Sequence, residues 1–278
     1  MPNGNGSYSA ENVVRVSAVQ DPSLWTVVLL ALAGFGAGWI DAVVGGGGLI
    51  QLPALVLGFP GASPVQILAT NKLGSVCGTT VSSATYYRRV KPDPRTFVPL
   101  MIFAFAGAVA GALVVTVIPK SAFNPIILVV LILVGAYILF APQVGLETEL
   151  RFVGHHHTIA AVLAGVIIGF YDGALGPGTG SFFVFALVGL LGYNFLEASA
   201  KARMANWATN VAALAVFIPQ GAVMWKIGLI IGGCNLLGAY LGARTAVSKG
   251  AGFVRVIFIV VVGAFTLKIG SEVFRAWW

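Results

Sequence analysis

"GAGWIDAVVGGGG" (residues 36–48) and "IIGFYDGALGPGT" (residues 167–179) decide the fold. Each sets an aspartate at the end of an apolar run, followed directly by a break rich in glycine. Asp41 and Asp172 are 131 residues apart, and the same offset pairs Gly34 with Gly165, Gly38 with Gly169, Gly45 with Gly176 and Gly47 with Gly178. It also aligns "GAVAGA" (107–112) with "GAYLGA" (238–243), and with a shift of about three residues it brings "VGAYIL" (134–139) onto "VGAFTL" (262–267). The chain is a duplicated unit.

Composition sets the solvent. The 278 residues are 58% hydrophobic and only 9% charged, with a mean hydropathy of +0.93, far from the roughly 25% charged residues of a soluble domain. Runs such as 24–40, 97–118, 126–141, 227–243 and 254–269 approach or reach the ~20 apolar residues that cross a bilayer as a helix. A polytopic membrane protein follows. Residues 1–23, with Glu11, Arg15 and Asp21 among Gly, Asn and Ser, lack the basic start of a cleaved signal and read as a disordered tail. Cys77 and Cys234 stand in apolar segments and build neither a disulfide framework nor a metal site. The net charge of +7 gathers at segment ends, where it orients a membrane protein rather than binding nucleic acid.

Each unit divides into five segments: 24–40, 46–58, 63–87, 95–118 and 122–141 in the first, and 158–171, 177–189, 195–218, 222–245 and 252–270 in the second. The domain reading is therefore a tail (1–23), a first transmembrane repeat (24–141), a loop (142–157) and a second repeat (158–278). Arg88, Arg89, Lys91 and Arg95 crowd the loop after the third segment of the first half, against Lys226 alone in the second. The next loop reverses the bias, with Lys120 in the first half and Arg244, Lys249 and Arg255 in the second. If basic loops face the cytoplasm, the halves are inverted with an odd number of crossings each. The fold expected is all-α, two inverted repeats of about five transmembrane segments, with short Gly-broken helices at the centre.

Helices broken at corresponding places in two halves build midplane sites in secondary transporters, because non-helical backbone at membrane depth must line protein or water. The runs Gly45, Gly46, Gly47, Gly48 and Gly176, Gly178, Thr179, Gly180 open short segments whose free N–H groups suit an oxyanion; no Gly-Lys-Ser/Thr ending supports a nucleotide-phosphate loop. Asn71, Lys72, Ser75 and Thr79 recur at helical spacing in the third segment, and Lys201, Arg203, Asn206 and Asn210 offer similar chemistry in the eighth. A cation with amides and hydroxyls replaces the hydration of a small anion; the competing reading is that these cations pair with Asp41, Asp172 or Glu197. The ionisable Asp41 and Asp172 are expensive at depth and suit proton coupling, or else cap the helices that follow. Gly34, Gly38, Gly107, Gly111, Gly238 and Gly242 have the spacing of close helix packing. His155, His156 and His157 read as a solvated juxtamembrane loop, and Trp277 with Trp278 as an interfacial anchor.

The block "GxxxGxxDAxxGGGGxxxxPxL" (34–55), the "ATNK" that follows (69–72) and "GFYDGALGPGTGSF" (169–182) resemble the sulfite exporter TauE/SafE family over nearly all of residues 25–270. The resemblance implies an inner-membrane, multi-pass carrier of sulfite or an organosulfonate such as sulfoacetate. The expected function is secondary active transport of that anion by alternating access, without a cofactor, with lipid and a possible proton as partners. A passive anion channel is the alternative within transport. An intramembrane enzyme is disfavoured, since no acidic, His or Cys cluster with catalytic spacing lies at depth.

Overall fold

The computed structural model describes residues 22–114 and 145–277. Most of the N-terminal tail, the fifth segment of the first repeat (122–141), Lys120 and Trp278 lie outside the described residues. Within them the chain is all-helical: α1 (Leu24–Val44), α2 (Gly48–Gly58), α3 (Pro64–Val90), α4 (Pro94–Val114), α5 (Gly154–Ala174), α6 (Thr179–Phe185, continued by a π turn at Ala186–Leu190), α7 (Phe195–Phe217) and α8 (Trp225–Trp277). Gly250, at φ 76°, breaks α8 into two helices.

Four stretches are long and apolar enough to cross a membrane: α1, α4, α5 and residues 225–268 of α8. Their outward faces carry Leu29, Leu32, Ile102, Ile167, Leu229 and Val260 exposed, as lipid contact requires. α3 and α7 are of spanning length but polar, and they occupy the interior instead. Ser63 caps α3, accepting from the Gln66 N–H while the Gln66 side chain accepts from the Ser63 N–H, and Pro64 follows at the first helical position, a strong helix start.

Small residues let the helices touch, and they do so reciprocally. A side chain on Gly34 would meet Ile231, and one on Gly165 would meet Leu100; both glycines and both partners are 131 residues apart. Gly38 closes on Asn235 as Gly169 closes on Ala104. Gly238 and Gly242 lie against Phe35 and Trp39 of α1, just as Gly107 and Gly111 lie against Val166 and Phe170 of α5. The first helix of each half thus packs on the fourth of the other. No methyl group fits at these positions, so the interface is made of glycine backbone.

The same contacts give helix direction. Residue numbers rise together between α1 and the start of α8, between α4 and α5, and between α3 and the start of α8, where Leu73 meets Gly228 and Cys77 meets Gly232. α1, α3 and the start of α8 therefore run the same way. α4 begins after only Lys91, Pro92 and Asp93, which reach about 13 Å, whereas a parallel α4 would need a return of about 30 Å. α4 and α5 accordingly run opposite to α1 and α3.

Candidate functional site

α1 extends past the expected boundary at residue 40 and includes Asp41 in its last turn. It ends where Gly45 adopts φ 89°; the second-half counterpart, Gly176, adopts φ 88°. Both values belong to the left-handed side that glycine tolerates, so the two breaks begin alike; they then diverge, since Gly47 is right-handed at φ −53° and its counterpart Gly178 left-handed at φ 79°. The turns meet in the interior: Gly45 lies on Gly180, and Gly48 lies beside Gly176 and Pro177.

Two ion pairs flank this meeting point. The Lys72 ammonium lies 2.7 Å from the Asp172 carboxylate, and the Arg203 guanidinium 3.2 Å from that of Asp41. Lys72 and Arg203 are themselves 131 residues apart, so each cation sits at the same register of its repeat and pairs with the aspartate of the other. Lys72 and Asp172 are 1% exposed and Arg203 is wholly buried; unpaired charges there would be strongly destabilising. The Thr179 hydroxyl donates to Asp172 at 2.6 Å, and the Gly47 N–H donates to Asp41 at 3.2 Å.

The end of α1 is tied down more firmly than the end of α5. Arg203 donates to the Asp41 carbonyl, the Tyr86 hydroxyl to Ala42, the Ser199 hydroxyl to Val43 and the Ser181 hydroxyl to Val44. All four terminal carbonyls, which a helix end leaves unpaired, are thereby satisfied. The residues 131 away from Tyr86, Ser199 and Ser181 are Phe217, Leu68 and Ile50, which can donate nothing. Arg203 spends its remaining reach on the Gly180 carbonyl at 3.2 Å. Among the described residues the partner of Lys72 is Asp172 alone.

Between the pairs lies a polar cleft lined by Asp41, Gly46, Gly48, Asn71, Lys72, Ser75, Asp172, Gly176, Gly178, Thr179, Gly180, Asn206 and Asn210. Its free space is about that of one water molecule. Of the residues the sequence nominates, Gly45, Gly47 and Arg203 stand behind the wall rather than in it. Asn210 joins the wall although the motif reading centred on Asn206; its position one turn later on the same helix is the signal that places it there. Thr79 turns away, its hydroxyl bonded to the Ser75 carbonyl of its own helix at 2.8 Å. The Asn71 side-chain oxygen and the Asn210 side-chain nitrogen are buried and make no hydrogen bond within the protein. Behind Asn71, Gln51 donates to its backbone carbonyl at 3.2 Å and accepts from Asn235 at 3.0 Å, fixing α2 against α3 and α8.

The other nominated groups lie elsewhere. Lys201 pairs with Glu197 at 3.5 Å and sits 3.8 Å from the Tyr193 ring centre. His155, His156 and His157 are helical, because α5 begins at Gly154. His155 and His156 are exposed, but His157 departs from the expected solvated loop: the helix turns it inward, where it bonds Thr96 at 3.1 Å and Tyr193 at 3.0 Å. Cys77 and Cys234 are free and half-buried, and among the described residues no group of three or more His, Cys, Asp or Glu could hold a metal.

The family model described as "Sulfite exporter TauE/SafE" matches residues 30–269. A "Probable membrane transporter protein ORF9" of Sinorhizobium sp is 36% identical over 91% of this chain and 96% of its own length. A "Probable membrane transporter protein" of Haemophilus influenzae is 34% identical over 87% and 94%. "Probable membrane transporter protein YfcA" of Escherichia coli K12 is 36% identical over 84% and 85%. No solved structure matches the chain significantly.

Proposed function

Because the chain belongs to the sulfite exporter TauE/SafE family, a family of multi-pass membrane transporters and not of enzymes, we propose that it is a secondary active transporter of a small sulfur oxyanion, sulfite or an organosulfonate, in the inner membrane. The observation that carries this reading is the cleft between the glycine turns. Two cations, each paired with an aspartate, three amides, hydroxyls of Ser75 and Thr179 and the backbone of Gly46 and Gly48 meet on or directly behind one buried space. Such a set replaces the water around an oxyanion, and nothing in it is suited to bond cleavage.

The mechanism is alternating access between two inverted repeats, 24–141 and 158–278. Three features support inversion: the opposed charge bias of equivalent loops, the reciprocal glycine contacts, and the opposite directions of α4 and the start of α8, which are the same helix of the two repeats. A two-fold relation across the membrane midplane gives each repeat the same role at opposite faces. The cleft is too small for a sulfonate as it stands, so the anion enters only when the repeats part. A carrier fits this closed centre better than an open pore does. Asp41 and Asp172 are the groups available to move a proton with the anion.

Binding of sulfite, sulfoacetate, thiosulfate and sulfate to purified protein, followed by calorimetry, tests the reading. At least one sulfur oxyanion should saturate a single site and lose affinity when Lys72→Ala removes the cation. Equal, non-saturating heats from all four would contradict it.

A further inference from the structure

The two ion pairs are equivalent in sequence register but not in their surroundings. Arg203 is held by three acceptors, the Asp41 carboxylate, the Asp41 carbonyl and the Gly180 carbonyl, and the Asn206 amide donates to the same Asp41 carboxylate at 3.5 Å. It stands behind the cleft wall and closes the end of α1. Lys72 forms part of the wall of the cleft that Asn71, Ser75, Asn206 and Asn210 also line, and its ammonium, which can donate three hydrogen bonds, holds one carboxylate there. An ammonium on a flexible stem can change partners, whereas a guanidinium fork fixed at several acceptors cannot do so without freeing a helix end.

On the anion-transport reading above, we propose that the pairs divide the labour: Lys72–Asp172 opens to exchange its carboxylate for the transported anion, while Asp41–Arg203 stays closed as a strut. The exchange takes up a proton. With Asp172 ionised, Lys72 is neutralised by it and the anion has no free cation. Protonating Asp172 turns its carboxylate into a neutral acid, and a monovalent oxyanion takes its place beside Lys72. The net charge of Asp41, Asp172, Lys72 and Arg203 is zero before the exchange and, counting the anion and the proton, zero after it. Transport is then electroneutral symport of one proton with one monovalent sulfonate. The ionisable groups around Asp172 are Lys72 from α3, Asp41 from α1 on the same cleft and its own neighbour Tyr171, whose hydroxyl donates to the Pro177 carbonyl, with Arg203 from α7 behind the wall on Asp41. Of these, only Lys72 contacts the Asp172 carboxylate.

Methanesulfonate, which stays singly charged across the working pH range, is the test ligand, titrated calorimetrically from pH 5 to 8 on monodisperse protein. The wild type should bind up to about tenfold more tightly for each unit the pH falls, since one proton is taken up per anion bound. Asp172→Asn should abolish that slope and bind at neutral pH as the wild type does in acid. Lys72→Ala should weaken binding by about 30-fold or more at every pH. Asp41→Asn and Arg203→Lys should keep the slope and lower the thermal midpoint more than Asp172→Asn and Lys72→Arg do. Thr179→Val, which leaves every charge in place and removes only the hydroxyl bonded to Asp172, is the second variant and should keep the slope. A slope that survives Asp172→Asn, or that disappears in Asp41→Asn or Thr179→Val, overturns the division of labour while leaving anion binding intact. Absence of binding in the wild type, with sulfite and sulfoacetate also inert, overturns the anion reading itself and the exchange with it.

Discussion

Lys72 and Asp172 join the two repeats by a buried ion pair of 2.7 Å, and its repeat-mate pair, Arg203 with Asp41, joins them again in the reverse sense. Neither repeat neutralises its own charge, so neither is complete without the other. Removing one member of a buried pair leaves an uncompensated charge, at about 3–5 kcal/mol. Lys72→Met and Asp172→Asn should each lower the denaturation midpoint, and the double variant should lose less than the sum, with a coupling of about 1–3 kcal/mol. The cycle between Lys72 and Asp41 should couple clearly less. A larger coupling within the repeat than across it would refute the crossed pairing.

Helix contact through glycine backbone makes a sharp contrast between neighbouring positions. Gly38→Ala puts a methyl group into the Asn235 backbone, and Gly169→Ala does the same at Ala104. Both should reduce the monodisperse yield strongly. Gly36→Ala has nothing within 4 Å and should be tolerated, gaining up to about 1 kcal/mol in helix propensity. Size-exclusion profiles of the three variants decide it; equal loss at Gly36 would mean these glycines serve something other than packing.

Much of the molecule was legible because duplication writes the same physics twice. Asp41 with Asp172 and the two glycine turns gave the offset, and that offset also relates Lys72 to Arg203. That Lys72, Lys201 and Arg203 pair with Asp41, Asp172 or Glu197 was the competing reading, and the structure has all three paired so; which cation takes which acid was not legible, since a register says which residues are equivalent but not which surfaces meet. Nor was the unequal fate of the two cations: it depends on Tyr86, Ser199 and Ser181 reaching the end of α1 from distant segments, where the second half offers Phe217, Leu68 and Ile50. His157 looked like its solvated neighbours, because only the start of α5 at Gly154 decides that the third histidine of the run turns inward.

Asn210 and Thr79 share one register, but only Asn210 faces the cleft with an unpaired amide. A hydrogen bond to a charged group contributes about 1.5–3 kcal/mol, so Asn210→Ala should weaken sulfonate binding by roughly 10- to 150-fold. Thr79→Val, whose hydroxyl is already spent on its own helix, should change affinity little. Calorimetric titration of both variants separates them, and equal effects would remove Asn210 from the site.

The proposed inversion would place equivalent loops on opposite faces. In a background with Cys77 and Cys234 replaced, cysteines introduced beside Lys91 and beside Lys249 should both label with an impermeant reagent from the cytoplasm, and one beside Lys120 only from outside. Labelling of the Lys91 and Lys249 sites from opposite faces would contradict the inverted repeats.

Uptake of labelled sulfite into proteoliposomes, with and without an imposed pH gradient, tests transport most directly. A coupled carrier should accumulate the anion above its external concentration only while the gradient lasts, and Lys72→Ala should abolish the accumulation. Equilibration to equal concentrations at a rate indifferent to the gradient and to Lys72, or no flux above empty liposomes of sulfite or, in the same assay, of sulfoacetate, would contradict a proton-coupled sulfur oxyanion carrier.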